Sequence, residues 1–112
     1  MILISFFIGS SQSILHKDAF NTMNCLINGT KDWKLVLYKH EKDLYKAWEE
    51  GSPGGGYSRI NVRAVNMTKF PKIATLPYYN ITVHGGDCLF LPKSCYHQVR
   101  ILFVNINVIS IP

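Results

Sequence analysis

One domain is the most that 112 residues can supply, and with 47% hydrophobic against 17% charged residues the chain carries enough apolar surface to fold as a globule. The net charge of +5 comes from Lys and Arg scattered between Lys17 and Arg100 with no basic run, which argues against a nucleic-acid partner and suits an acidic co-substrate. Cys25, Cys88 and Cys95 are odd in number and lack CxxC spacing, which argues against a disulfide framework or a structural zinc site and favours reduced thiols in a cytoplasmic or nuclear chain.

The first predicted element, residues 2–8, is an apolar run with no basic segment ahead of it and too short to span a bilayer, so it reads as a buried strand and no membrane span is expected. Short runs rich in Val, Ile, Tyr and Phe follow at 13–17, 23–27, 33–38, 60–65, 78–84, 88–91 and 99–109. Turn residues separate them: Gly9-Ser10-Ser11, Asn28-Gly29, Gly54-Gly55-Gly56 and Gly85-Gly86-Asp87, with Pro92 closing the strand at 88–91. Within 40–50, Leu44 and Trp48 stand at i and i+4 among charged residues, which predicts one short amphipathic helix stopped by Gly51. Residues 51–58 are rich in Gly and Pro but match neither a phosphate loop nor a GxGxxG entering a helix, and predict a surface loop. Eight short strands and one helix predict an all-β sandwich or barrel. The sequons Asn28-Gly29-Thr30, Asn66-Met67-Thr68 and Asn80-Ile81-Thr82 matter only in a secreted chain, and they keep the secretory pathway open as the alternative compartment.

Two motifs far apart in the chain carry the chemistry. In a strand, residues i and i+2 share a face, so His16 and Asp18 of His16-Lys17-Asp18 can hold one metal together while Lys17 points away. Tyr96-His97-Gln98-Val99 adds a second imidazole, and two His with one carboxylate form the facial set that binds non-haem Fe(II) while leaving positions open for oxygen chemistry. Tyr96 has the opposite strand parity and is expected to pack in the wall. His40 and His84 fall outside both motifs and read as surface residues.

The stretch from His16-Lys17-Asp18 through Asn28-Gly29-Thr30-Lys31-Asp32-Trp33, then Gly86-Asp87-Cys88-Leu89-Phe90-Leu91-Pro92 and Tyr96-His97-Gln98-Val99, resembles the JmjC, or cupin-like, Fe(II)- and 2-oxoglutarate-dependent oxygenases over nearly the whole chain. The resemblance implies a double-stranded β-helix, the cupin or jelly-roll barrel, with residues 1–112 forming its core, incomplete at both ends. It implies Fe(II) held by His16, Asp18 and His97 as catalytic residues, 2-oxoglutarate and O2 as co-substrates, a protein or peptide substrate, and a homodimer in a full-length form. Lys31 matches the lysine that pairs with the distal carboxylate of 2-oxoglutarate, and Ser13 a hydroxyl that binds the same group. Asn107, rather than Asn105, matches the asparagine beside the metal-proximal carboxylate, while Asn24 either lines the same pocket or satisfies a buried backbone group. Asp87 reads as a cap on the turn before the strand.

The Leu15-His16-Lys17-Asp18 form, with Cys25 and a Gly29-Thr30-Lys31 turn behind it, leans toward the JmjC lysyl hydroxylase branch. Cys95 stands where the family has Trp, and Ile109-Ser110 where it has aromatic residues, so packing around the second His is altered. The alternative function is a degenerate JmjC-like protein that binds metal or a partner without turnover.

Overall fold

The computed structural model describes residues 2–7, 11–47 and 56–110. In chain order these form β1 (Ile2–Phe7), β2 (Ser11–Gln12), β3 (His16–Lys17), β4 (Thr22–Val36), a 3-10 helix (Tyr38–Asp43), β5 (Lys46–Ala47), β6 (Gly56–Ser58), a second 3-10 helix (Pro71–Thr75), β7 (Tyr79–His84), β8 (Cys88–Leu91) and β9 (Tyr96–Ser110). Among the described residues, nine strands make one antiparallel sheet. Its spine is β4 beside β9. The outer edge of β4 takes β8 and then β7, and the outer edge of β9 takes β1, β2 and β3 in turn, with β6 and β5 continuing from β3. The all-β expectation holds.

The strands expected at 23–27 and 33–38, with a turn at Asn28-Gly29 between them, are instead one strand of 15 residues that ends at Val36, with Tyr38 already in the first 3-10 helix. Asn-Gly favours a hairpin because both residues tolerate positive φ. Here Gly29, at φ 104°, takes up register shifts between Leu26 and Thr30 without reversing the chain. Both edges of β4 are paired, so an added residue is accommodated as a bulge. The bulge changes which residues face inward. Thr22, Asn24 and Leu26 are buried before it, and Lys31, Trp33 and Leu35 after it. Strict alternation would set Asn24 and Lys31 on opposite faces; the shift brings them to the same one.

That inward face holds a core of Leu26, Trp33, Leu35, Val83, Leu91, Cys95 and Val99. A second core on the other side of the β4–β9 ends contains Leu15, Val36, Leu44, Leu76 and Tyr96. Each fully buried side chain of this size contributes about 1.5–3 kcal/mol. Tyr96, fully buried, packs in the wall as its parity requires.

Other expectations are corrected. The helix expected at 40–50 is a 3-10 helix at Tyr38–Asp43, after which Tyr45 adopts φ 51° and the chain enters β5. Leu44 is buried as expected, but by the second core and not by a helical stripe, and Trp48 lies outside the described residues. Of the expected loop at 51–58, residues 56–58 form β6, which bridges β3 and β5; residues 51–55 lie outside the described ones. Residues 60–65 form turns and not a strand: the Asn61 carboxamide oxygen accepts from the Arg63 N–H (3.0 Å), and the Ala64 N–H donates to the Asn61 carbonyl (3.1 Å). An asparagine that hydrogen-bonds its own downstream backbone takes the amides a ladder would need. The run at 13–17 shrinks to β3, preceded by the short β2. The side chains of residues 2–8, expected to be buried, lie outside the described ones.

The reduced-thiol expectation is also corrected for two cysteines. Cys25 and Cys88 stand opposite each other on β4 and β8 and are joined as a disulfide, while Cys95 is a free thiol in the core. Sequence spacing hides the pair because strand register, not a CxxC interval, brings it together. The bond closes a long loop in the unfolded chain. A Cys25→Ala/Cys88→Ala variant is therefore expected to unfold with about 2 kcal/mol less stability in urea; an unchanged midpoint would contradict this.

Candidate metal centre

The register sets His16 on β3 directly opposite His97 on β9, so strand pairing alone joins the two motifs. Asp18 follows β3, and its carbonyl accepts the Ser94 N–H at 3.0 Å, which fixes the backbone beside the two rings. The ring centroids of His16 and His97 lie 4.2 Å apart. One ligand atom from each of His16, Asp18 and His97 falls within 4.8 Å of the others. That spread is comparable with twice a metal–ligand bond of about 2.0–2.2 Å.

Both imidazoles are oriented alike. Nδ1 of His16 lies 2.9 Å from the Ile14 carbonyl oxygen, and Nδ1 of His97 lies 3.0 Å from that of Cys95. A carbonyl only accepts, so each Nδ1 carries the proton and each Nε2 keeps a lone pair for a ligand. Burial, followed by the nearby His16, pushes the His97 pKa down, against the backbone hydrogen bond to Cys95 and the Asp18 charge, which raise it. Nε2 of His97 also lies 3.4 Å from Oδ2 of Asp18. Two acceptors aimed at one spot with no proton between them favour a cation there. The donor set therefore fits a divalent metal of the Fe(II) type.

Lys17 does point away. Its ammonium donates to Glu41 at 2.8 Å, and the Tyr96 hydroxyl donates to the same carboxylate at 3.0 Å. This trio, with Lys17 and Tyr96 buried and Glu41 half-buried, ties β3, β9 and the first 3-10 helix together. Burial, then the hydrogen bond and charge of Glu41, raises the Tyr96 pKa.

Lys31 is 5% exposed and lies on the inward face, in register with Val83 and Ile101. Its ammonium stands 5.5 Å from the Trp33 ring centroid, and burial pushes its pKa down to about 8. No carboxylate among the described residues pairs with it. Two further polar groups on the same face have no hydrogen-bond partner among the described residues: the Asn24 carboxamide oxygen and the Trp33 indole N–H. The Trp33 ring lies 5.8 Å from that of His97. Trp33 thus lies between the buried cation and the His97 ring, and an unpaired buried cation next to an orphaned indole N–H suits an anionic ligand.

Sequence reasoning missed Trp33. The usable signal was its place two residues after Lys31 in a strand, which puts both on one face. Its indole also lies beside His97, in a core shared with the buried Cys95.

The remaining candidates are placed as follows. The Ser13 hydroxyl oxygen accepts the Val99 N–H at 3.0 Å, and the Ser13 N–H donates to the Val99 carbonyl at 2.9 Å, so this residue stitches the chain to β9. Asn107 is registered opposite Leu26; its side chain, like that of Asn105, lies outside the described ones. Asp87 accepts the His84 N–H at 3.0 Å and caps the β7–β8 turn. His84 is exposed and His40 half-buried, and neither approaches the metal set. No helix among the described residues is long and apolar enough to cross a membrane.

The chain is similar to known proteins in sequence and in fold. The cupin-like domain family matches residues 2–110. Jumonji C domain-containing protein 5 of Drosophila melanogaster is 26% identical over 88 residues, covering 79% of this chain and 21% of the relative. Lysine-specific demethylase 8 of Danio rerio is 27% identical over 100 residues, covering 89% and 24%. The chain thus spans about a quarter or less of these relatives. The Drosophila melanogaster CENP-C cupin domain superposes with a TM-score of 0.59, at 8% identity, over 100% of this chain and 60% of that one, and CENP-C bound to CAL1 gives 0.60. At such identity the likeness is one of fold alone.

Proposed function

The chain belongs to the cupin-like domain family, with JmjC relatives and an all-β jelly-roll fold, and on that footing we propose that it is an Fe(II)- and 2-oxoglutarate-dependent dioxygenase that hydroxylates a protein side chain. The observation that carries this reading is the convergence of His16, Asp18 and His97, with the Trp33 ring between His97 and a buried Lys31 that has no carboxylate partner among the described residues.

In this reading His16 and His97 present Nε2 and Asp18 a carboxylate oxygen to the metal, which when bound supplies the redox centre for reaction of O2 with 2-oxoglutarate. The Ile14 and Cys95 carbonyls hold the imidazoles in the ligating tautomer. The Lys31 ammonium pairs with the distal carboxylate of 2-oxoglutarate, and the ligand's negative charge restores a full positive charge on a lysine that burial disfavours. The Trp33 N–H and the Asn24 amide offer further polar contacts, and the Ser13 hydroxyl, whose oxygen accepts the Val99 N–H, keeps its own proton to donate to the co-substrate. Val83, Val99 and Leu35, buried in the same core as Trp33, give this face an apolar surround.

A lysyl target is the finer reading. Its sequence support is narrowed: Cys25 serves a disulfide, and Gly29-Thr30-Lys31 is a bulged strand and not a turn. The alternative, a partner-binding module without turnover, is favoured by the likeness to the CENP-C cupin, which is seen bound to CAL1. Conversion of 2-oxoglutarate to succinate separates the two. The wild-type protein with Fe(II) and O2 is expected to form succinate, and the His97→Ala variant none. Metal-bound wild type that forms no succinate, with or without lysine-containing peptides, would favour the binding module.

A further inference from the structure

Two features have no part in the metal site. The first is the Cys25–Cys88 disulfide, which joins the outward side of β4 to the edge strand β8; Cys88 is exposed and Cys25 half-buried. A disulfide open to solvent persists where the surroundings oxidise thiols, and is reduced where glutathione and thioredoxin act. The second is the set of sequons, in which Asn28, Asn66 and Asn80 are all exposed, in contrast to the buried Asn24 outside any sequon.

Asn66-Met67-Thr68 is the best presented of the three. All three residues are exposed and lie in a turn, outside the sheet. The Asn66 carboxamide oxygen accepts the N–H groups of Thr68 and Lys69, both at 3.1 Å, and the Asn66 carbonyl accepts the Phe70 N–H at 2.8 Å. This Asx turn occupies the oxygen of the side chain and leaves its nitrogen without a partner among the described residues. By contrast, Asn28 sits in the bulge of the central strand β4, where the backbone of Gly85 packs against it. Asn80 lies in β7, and the Thr82 hydroxyl of its sequon is engaged by Asp32.

We propose that this protein is a secretory-pathway glycoprotein, N-glycosylated at Asn66 in its exposed Asx turn and oxidised at Cys25–Cys88 in the same compartment. In the transfer, Nδ2 of Asn66 attacks the anomeric carbon of an oligosaccharide carried on a lipid diphosphate. A C–N bond forms, the C–O bond to the diphosphate breaks, the diphosphate leaves with the electron pair, and the amide proton passes to the transferase. At the cysteines, two thiols lose two protons and two electrons to a disulfide-bearing oxidoreductase, whose own disulfide becomes a dithiol. Neither step depends on the metal reading.

The test uses the protein isolated from cells that make it, alkylated without reductant and then treated with peptide-N-glycosidase in heavy-oxygen water. The proposal expects a mobility shift on deglycosylation, heavy-oxygen aspartate at position 66 and a Cys25–Cys88 peptide pair that separates only on reduction. Thr68→Ala should abolish the label at position 66, and Thr68→Ser should retain it, which separates sequon recognition from misfolding. An unlabelled Asn66 in the wild type, or alkylated free thiols at both Cys25 and Cys88, overturns the proposal.

Discussion

Replacing Asp18 with alanine is expected to lower divalent-metal affinity by at least about 100-fold, while leaving the fold intact. Asp18 is the sole anionic donor in the set, and removing one of three ligands leaves two neutral imidazoles to hold a hard dication. The substitution should not unfold the protein, because the structural contact of Asp18 is made by its backbone carbonyl to Ser94. It also removes one of the two acceptors that face each other across 3.4 Å, so the metal-free variant should be at least as stable as the wild type. Mn(II) titration followed by electron paramagnetic resonance reads the first effect, and thermal melting in chelator the second. Retained affinity would remove the carboxylate from the site; a large loss of apo stability would make Asp18 a structural residue.

Lys31→Met is expected to weaken 2-oxoglutarate binding on the order of 30- to 100-fold with metal affinity nearly unchanged, since one charge-assisted contact is lost and no ligand atom is touched. The same change should stabilise the apo protein near pH 7. The Lys31 pKa falls from its ordinary value of 10.5 to about 8 in the fold, so below pH 8 the folded state holds a buried charge that the unfolded state would hold in water. The penalty is up to roughly 3 kcal/mol at neutral pH. Between pH 8 and 10.5 the unfolded chain binds more protons at this position, so wild-type stability should rise toward that of the variant. A variant less stable than the wild type at pH 7, with unaltered 2-oxoglutarate binding, would make Lys31 a packing residue.

The site was more legible in the sequence than the strand plan around it. His16, Asp18 and His97 were named because HxD in a strand, weak by itself, stands with a second motif in the order of the JmjC resemblance; β-pairing sets His16 opposite His97. Lys31 and Asn24 could be named as candidates but not placed on one face, because the bulge at residues 26–30 resets the period of two between them. A bulge depends on both edges of the strand being paired, which is tertiary information that local turn chemistry at Asn28-Gly29 does not hold. The same limit explains residues 60–65, where the apolar alternation of Ile60 and Val62 suggested a strand but Asn61 captured its own backbone. Leu44 was correctly apolar, yet its burial comes from a core shared with Leu15, Val36, Leu76 and Tyr96, residues no window around it contains. The disulfide was invisible for the same reason: Cys25 and Cys88 meet only through register.

Ordered binding of one metal and then one 2-oxoglutarate to the wild-type protein is the property on which the oxygenase reading rests most directly. Anaerobic calorimetric titration with Mn(II), followed by 2-oxoglutarate, should give about one equivalent of each, with the second binding only after the first, as a facial triad with open positions requires. Absence of metal binding, or 2-oxoglutarate binding that is as tight without metal as with it, would contradict the site described for His16, Asp18, His97 and Lys31.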